Sequence, residues 1–246
     1  MNSQHKFADV EFVNYLTAHR YHPRSSKHGD FICEKLVSDL AYRCPLFKKH
    51  TEEHSICYKL NYTVNPSSPL KWTIDLVVGP CGDKSQLETN NILPPRGTPK
   101  EIWLAVDAKS IMTEHGKARR NRVRDIDALH NNLHAVNQKT VVGGLLVINI
   151  SPTFYSPLRT DGITEHHNVE RLVAESIQMF ETVPRADSPT GGKGLDAMGV
   201  IIVDYSNQEG AICTIHTREP APAIGSKVHY LTFIDDLCHA YTSRFS

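Results

Sequence analysis

The chain has 246 residues, and its 27 basic and 27 acidic side chains give a formal net charge of zero. This length provides enough apolar surface for one large core or two small ones. The balanced charge excludes a strongly basic footprint over the whole surface, so any contact with nucleic acid must come from local patches. No apolar run approaches the length of a membrane span, and the first residues lack the apolar core of a signal peptide.

Six cysteines are scattered along the chain without a CxxC pair. This spacing is typical of reduced thiols, and it favours neither a zinc site nor a set of disulfides. We therefore expect a cytoplasmic protein without membrane contact.

Apolar residues at helical spacing predict two helices at the start of the chain, over residues 7–19 and 30–42. Asp30 is the expected N-cap of the second helix, and Pro45 should end that helix because proline removes a backbone donor. The loop between the two helices is polar and basic.

Three strands follow in the prediction. An alternation of apolar and polar residues indicates strands over residues 56–64 and 101–110. Between them, residues 70–78 form an apolar strand whose middle residue is Asp75. A short turn rich in proline and serine separates the first two strands, so they should pair antiparallel. The loop over residues 79–100 is long enough to be functional or mobile.

The second half of the chain alternates helices and strands. A long helix reaching about residue 137 precedes a nearly continuous apolar strand over 141–150, which indicates burial on both faces. The remaining predicted elements are a helix over 168–182, a strand over 198–205, a short edge strand over 213–217 and a closing helix over 230–245. This order predicts a single α/β domain, residues 1–246, with a central mixed β-sheet flanked by helices.

Two acidic residues interrupt apolar strands, where a core has no packing use for a charge. Asp75 lies in the second strand and Asp107 in the third, with Lys109 on the same face as Asp107. If the strands are adjacent, the two carboxylates could hold Mg²⁺ against a phosphodiester, and the lysine could orient the attacking water. The backbone carbonyl of Ala108 is the expected third metal ligand. Glu34, on the second helix, could hold a metal-bound water or a second ion.

These residues resemble the PD-(D/E)xK nuclease superfamily, which includes most type II restriction endonucleases. The match consists of Asp75, then Asp107, Ala108 and Lys109 in the D-x-K form, with Glu34 on a preceding helix. The resemblance implies that both aspartates are metal ligands and that the lysine is catalytic. The order of the elements is also similar to the αβββαβ core of that superfamily.

The resemblance covers about residues 30–150 and implies a restriction endonuclease-like catalytic core there. One departure is Ile74, which stands where the superfamily has a proline before its first aspartate. Asp39 and Glu11 are alternatives to Glu34 as the acid contributed by the N-terminal helices.

The helix after the third strand opens with a cluster of basic residues. Five of eight consecutive positions are basic: Lys117, Arg119, Arg120, Arg122 and Arg124. Because a helix N-terminus favours a phosphate, we expect these side chains to contact the DNA backbone near the scissile bond. The alternative is a solvated helix whose arginines pair with neighbouring acids of the same helix.

We therefore predict a Mg²⁺-dependent endonuclease that hydrolyses double-stranded DNA, of the sequence-specific type II restriction class, with Mn²⁺ as an accepted substitute. Cleavage of both strands at a symmetric site needs two active sites, so a homodimer is expected. Two alternatives stay open. One is a repair, phage-defence or mobile-element nuclease with the same chemistry, and the other is a non-catalytic nucleic-acid-binding module.

Overall fold

A computed structural model describes residues 5–64, 72–82, 93–159, 162–188 and 190–246. Over these ranges the chain forms six helices around a six-stranded mixed sheet, with a separate two-stranded ribbon. The predicted α/β fold with a central mixed sheet flanked by helices is confirmed. Among the helices in these ranges, none combines the length and the apolar character that a membrane crossing requires.

The elements are numbered in chain order. The helices are α1 (Ala8–Ala18), α2 (Lys27–Arg43), α3 (Pro45–Glu52), α4 (His115–Val136), α5 (Val169–Glu181) and α6 (Tyr230–Phe245). The strands are β1 (Ile56–Val64), β2 (Trp72–Pro80), β3 (Leu104–Ile111), β4 (Val141–Asn149), β5 (Thr153–Tyr155), β6 (Ile163–Glu165), β7 (Ala197–Asp204) and β8 (Thr214–Ile215). The large sheet has the order β1-β2-β3-β4-β7-β8, and β5 pairs with β6 in the ribbon.

The sheet has an antiparallel part and a parallel part. β1, β2 and β3 pair antiparallel, which confirms the prediction for the first two strands. β3, β4 and β7 pair parallel, and β8 adds a short antiparallel edge. Because parallel neighbours need a crossover, α4 leaves the end of β3 and returns the chain to the start of β4. The strand that carries Asp107 therefore lies between an antiparallel and a parallel neighbour.

Two hydrophobic clusters cover the two faces of this sheet. α1, α2, α3 and α6 contribute to one cluster, and α4 and α5 contribute to the other. All nine residues of β4 are buried between them, as its apolar sequence predicts. Gly144 in β4 permits the close approach of α4, because a Cβ atom there would lie 2.6 Å from the Ile126 side chain. β3 therefore lies inside the sheet, between β2 and β4, with a hydrophobic cluster on each face.

Several element boundaries differ from the prediction. α2 begins at Lys27, so Asp30 lies inside the helix and is not its N-cap. Pro45 follows α2 as predicted but is also the first residue of a further helix, α3, which the sequence analysis missed. Proline is well suited to that position, because the first N–H of a helix has no intrahelical partner.

The prediction of unpaired thiols is wrong at one pair of cysteines. Cys44 and Cys238 are in disulfide contact, with their Cα atoms 5.3 Å apart across 194 residues of sequence. The pair joins the end of α2 to α6, and this contact depends on packing that sequence spacing does not reveal. The other four cysteines are unpaired and buried.

Candidate active site

β2 and β3 separate at the point where the two predicted acids stand. The ladder between these strands ends at the pair Leu76–Val106. Asp75 and Asp107 are the next residues on the two strands. Asp75 Oδ2 accepts the backbone N–H of Ala108 at 2.9 Å, so a carboxylate takes the place of a main-chain partner. The end of the ladder therefore creates a gap in which side chains can meet.

Lys109 lies between the two acids. Its Nζ atom is 2.6 Å from Asp107 Oδ1 and 3.0 Å from Asp75 Oδ2. The Asp107 side chain is only 6% exposed, whereas Asp75 is 22% and Lys109 is 18% exposed. Both carboxylates thus contact a single cation position, and two acids on one base leave an excess of negative charge.

The ionisation of these groups reflects that excess. Burial, followed by the negative charge of Asp75, raises the pKa of Asp107 from 3.8 to about 8. Burial lowers the pKa of Lys109, but the charges of Asp107 and Asp75 outweigh burial, and the pKa is raised above its ordinary value of 10.5. The lysine therefore stays positively charged at neutral pH, and a further cation would relieve the repulsion between the acids.

A cavity of about 160 Å³ opens beside Asp75 and Lys109. Its walls come from the segment that joins α1 to α2, from Asp75 of β2, from the second half of β3, and from Arg122 of α4. Asp30 of α2 and Asn61 of β1 also line it. The cavity therefore combines carboxylates, an ammonium and a guanidinium within one small space.

Glu34, the predicted helix acid, lies in a different set of contacts. Its Oε1 atom accepts the Tyr58 hydroxyl at 2.7 Å and the Arg96 guanidinium at 2.8 Å. Burial raises the pKa of Glu34, but these hydrogen bonds outweigh burial, and the pKa is lowered below 4.5. The two alternatives are also engaged elsewhere, because Asp39 bonds to groups of α1 and α6 and Glu11 pairs with a lysine of α2.

The acid of α2 that does line the cavity is Asp30, one helical turn before Glu34. Its Oδ1 atom accepts from Asn61 Nδ2 at 2.6 Å, and its Oδ2 atom accepts from Ser26 Oγ at 2.9 Å. Sequence analysis missed this role because an acid near a helix start already has a capping explanation. Residues four apart share one helix face, which was the available signal, but spacing could not choose between the two acids.

The five basic residues of α4 are placed in three different ways. Arg122 lines the cavity and lies 3.5 Å from Asp125. Arg119 donates to Glu175 of α5 at 2.5 Å, so this arginine ties two helices together. The other three side chains are exposed on the outer surface of the helix: Lys117, Arg120 and Arg124. The structure thus brings Arg122 to the acids and gives Arg119 a partner within the fold.

The oxygen atoms around the gap between β2 and β3 can be compared with the ligands that a metal ion requires. In the described ranges, no group of three or more histidine, cysteine, aspartate or glutamate side chains is spaced to hold a metal. Mg²⁺ is commonly held by one or two carboxylates and keeps several waters, so Asp75 and Asp107 meet that lower requirement. The Ala108 carbonyl faces the same gap as its N–H, because both groups of an extended residue point to one strand edge. These oxygen donors fit a hard cation.

No protein-family model, curated protein or solved structure matches the chain. Function is therefore inferred from the geometry and charges of the cavity. Two acids, one buried and one partly exposed, share one base at the point where two strands diverge, and any proposed function has to explain this arrangement.

Proposed function

We propose that the protein is a Mg²⁺-dependent nuclease that hydrolyses phosphodiester bonds of double-stranded DNA. The observation that supports this proposal most is the convergence of Asp75, Asp107 and Lys109 where the ladder between β2 and β3 ends. Phosphodiester hydrolysis needs a cation beside the phosphate and a group that positions the attacking water. The two carboxylates and the ammonium match these needs.

The residues have distinct roles in this proposal. Asp75 and Asp107 would hold the ion through carboxylate oxygens, together with the Ala108 carbonyl. When bound, Mg²⁺ neutralises charge on the phosphate and lowers the pKa of the attacking water. Lys109 contacts both acids and is therefore close enough to orient that water through a hydrogen bond. Arg122 offers a guanidinium to a phosphate oxygen from the cavity wall.

DNA would approach along the first turns of α4. This helix starts four residues after the end of β3, and its exposed Lys117, Arg120 and Arg124 can contact successive phosphates. Sequence-specific cutting of the type II restriction class is the finer proposal, with Mn²⁺ as an accepted substitute. A homodimer would place one active site on each strand.

The alternatives differ in what they leave unexplained. A non-catalytic nucleic-acid-binding module accounts for the exposed basic residues of α4, but it gives no role to the two acids that share Lys109 where the β2–β3 ladder ends. A repair, phage-defence or mobile-element nuclease uses the same chemistry and differs only in its choice of DNA. The pattern of cleavage distinguishes these three functions.

Incubation of plasmid DNA with the protein and Mg²⁺, followed by sequencing of the ends, tests the proposal. Discrete fragments indicate a restriction-type enzyme, and unspecific degradation indicates a nuclease of the repair or defence type. Retained DNA binding without cleavage supports the non-catalytic module, and chelation of Mg²⁺ by EDTA should stop any true cleavage.

Two variants test the residues. Asp107→Ala should abolish cleavage while sparing binding, and Lys109→Met should slow cleavage about 10²- to 10⁴-fold, the usual range for loss of an acid–base group. Asp204→Asn is the matched control, because Asp204 is an exposed acid at the end of β7, a strand that β4 separates from β3. Wild-type cleavage by the Asp107→Ala variant would show that the proposed site is wrong.

A further inference from the structure

The wall of the cavity contains a histidine whose hydrogen bonding is incomplete. His28 lies in the first turn of α2, is 6% exposed, and lines the cavity together with Asp75 and Lys109. Its Nε2 atom accepts the backbone N–H of His22 at 3.0 Å. Its Nδ1 atom is buried and has no hydrogen-bond partner within the described ranges.

The contact with His22 determines which ring nitrogen of His28 carries the proton. A backbone N–H can only donate, so Nε2 must supply the lone pair and the proton must lie on Nδ1. The unpartnered atom is therefore an N–H donor. Burial, followed by the positive charge of His22, lowers the pKa of His28 to about 4, so the ring keeps this neutral form at neutral pH.

Other buried histidines provide a contrast. His115, His130 and His134 also have an unpartnered Nδ1 atom, but in each of them Nε2 contacts an oxygen acceptor. Nε2 is then the donor, and in the neutral ring the free Nδ1 atom is an acceptor without a proton. Among these four residues, only His28 presents an unsatisfied N–H group, and an unpaired buried donor is unfavourable.

In the part of the chain that the structure describes, no oxygen lies within hydrogen-bonding geometry of that donor. The ring stacks on Tyr21 at 4.7 Å and meets the Tyr15 ring edge to face at 5.8 Å, and aromatic rings are weak acceptors. The wall itself is well anchored. The Tyr21 hydroxyl lies 2.8 Å from the Ser110 hydroxyl, next to Lys109, and the Tyr21 backbone N–H donates to the buried Asn207.

We infer that His28 binds the substrate: when DNA enters the cavity, the His28 ring shifts so that its Nδ1–H, buried here, donates to a non-bridging phosphate oxygen. This inference rests on the proposed nuclease function and adds a neutral donor to the cationic Lys109 and Arg122. A phosphate oxygen is the acceptor that fits, because the cavity wall places an ammonium and a guanidinium beside the carboxylates of Asp30 and Asp75.

A pair of substitutions separates this role from a purely structural one. Glutamine places its amide near the Nε2 position of histidine, so His28→Gln keeps an acceptor for His22 and loses the Nδ1 donor. Asparagine places its amide near Nδ1, so His28→Asn keeps the donor and loses the contact with His22. Substrate binding by His28 makes the glutamine variant the weaker binder, whereas a structural role makes the asparagine variant the weaker one.

Binding of a short fluorescent duplex is measured by anisotropy with Ca²⁺ in place of Mg²⁺, a hard cation chosen to slow cleavage. We expect Kd to rise about tenfold for His28→Gln, the loss of one hydrogen bond to a charged group, and much less for His28→Asn. His134→Gln is the matched control, because it makes the same change at a buried histidine whose Nε2 contacts Thr140. This control should leave Kd unchanged, and thermal melting checks that each variant folds.

The proposed contact of His28 can also be tested by NMR on the wild-type protein alone. The ¹H and ¹⁵N resonances of the His28 Nδ1–H group should shift when the duplex is added, because the donor then gains a charged acceptor. An unshifted resonance, an unchanged Kd for His28→Gln, or a larger loss for His28→Asn overturns the inference.

The outcomes also separate this inference from the proposed nuclease function. If the wild type cleaves plasmid DNA and the His28 variants bind DNA with the same Kd as the wild type, the histidine contact is contradicted and the nuclease function is supported. If His28→Gln selectively loses binding but the wild type does not cleave DNA, the nuclease function is contradicted and the phosphate contact is supported. No binding of the duplex by the wild type overturns both.

Discussion

Two clusters of buried charge in this molecule are balanced differently. Between α6 and the start of β7, Arg244 pairs with Asp196, both side chains are almost fully buried, and Asp196 also accepts the backbone N–H of Val142 at 2.8 Å. Where the ladder between β2 and β3 ends, two acids share Lys109 beside an open cavity. The contacts described for the first cluster pair one base with one acid, whereas those of the second place two acids on one base.

This difference indicates what each cluster does. An uncompensated buried charge costs several kcal/mol, so a cluster that only stabilises the fold should be matched in charge. Arg244 and Asp196 satisfy this condition, and Arg244 also donates to the Thr140 carbonyl at 2.8 Å. Without a ligand, the surplus acid is tolerated only by holding a proton up to about pH 8, and its ionisation above that pH destabilises the protein, which supports a binding role for the pair Asp75 and Asp107.

The largest expected effect comes from breaking the matched cluster. Arg244→Met leaves the Asp196 carboxylate buried without its cation, so the free energy of unfolding should fall by about 3–5 kcal/mol. For a chain of this length, such a loss lowers Tm by about 10 °C. Urea denaturation and calorimetry measure both quantities.

Asp107→Asn is the counterpart in the unmatched cluster. This change removes the surplus charge and keeps the shape of the side chain, so stability at pH 8 should stay the same or rise. A loss as large as that of Arg244→Met would show that the two clusters have the same structural purpose, and the comparison would fail.

The second prediction concerns pH and Mg²⁺. In the unfolded chain Asp107 loses its proton near pH 4, whereas the folded protein holds that proton up to about pH 8 because of burial and the charge of Asp75. The unfolded state therefore binds fewer protons between these values, and the contribution of Asp107 to stability falls as pH rises. The difference between the stability curves of wild type and Asp107→Asn, measured without metal, isolates this contribution.

Mg²⁺ should reverse that loss in the wild-type protein. Mg²⁺ at a concentration 100 times its Kd adds about 2.7 kcal/mol to the free energy of unfolding. The stabilisation of Asp107→Asn by Mg²⁺ should be much smaller. Calorimetry at increasing MgCl₂ concentrations measures this stabilisation. Equal stabilisation of the wild type and Asp107→Asn would exclude Asp107 as a ligand. Arg244→Met should gain as much as the wild type, because its matched cluster is not the binding site.

The smallest expected effect separates two arginines of α4. Arg122→Ala should reduce the slope of log K against log salt for DNA binding by about 0.9, because one phosphate contact is lost. Arg119→Ala should leave this slope unchanged and lower Tm, since Arg119 bonds to Glu175 of α5. Fluorescence anisotropy at several salt concentrations measures the slope, and an equal change in both variants would contradict the placement of these side chains.

Local patterns predicted most of the elements near the site. Alternation identified β1, continuous apolar runs identified β4 and β7, and a short turn indicated the antiparallel pairing of β1 with β2. Asp75, Asp107 and Lys109 were recognisable because each interrupts an apolar strand, and burying a charge there is too costly to lack a purpose. These features are readable because they depend only on residues near each other in the chain.

Contacts between distant segments were decided by packing alone. The helix face that carries both Asp30 and Glu34 follows from their spacing, but the position of α2 over the sheet determines which acid lines the cavity. The same applies to Arg119, whose partner lies on another helix, and to the pairing of Cys44 with Cys238. Periodicity determines the direction in which a side chain points along its own helix or strand, whereas its neighbours depend on how the helices and strands dock against each other.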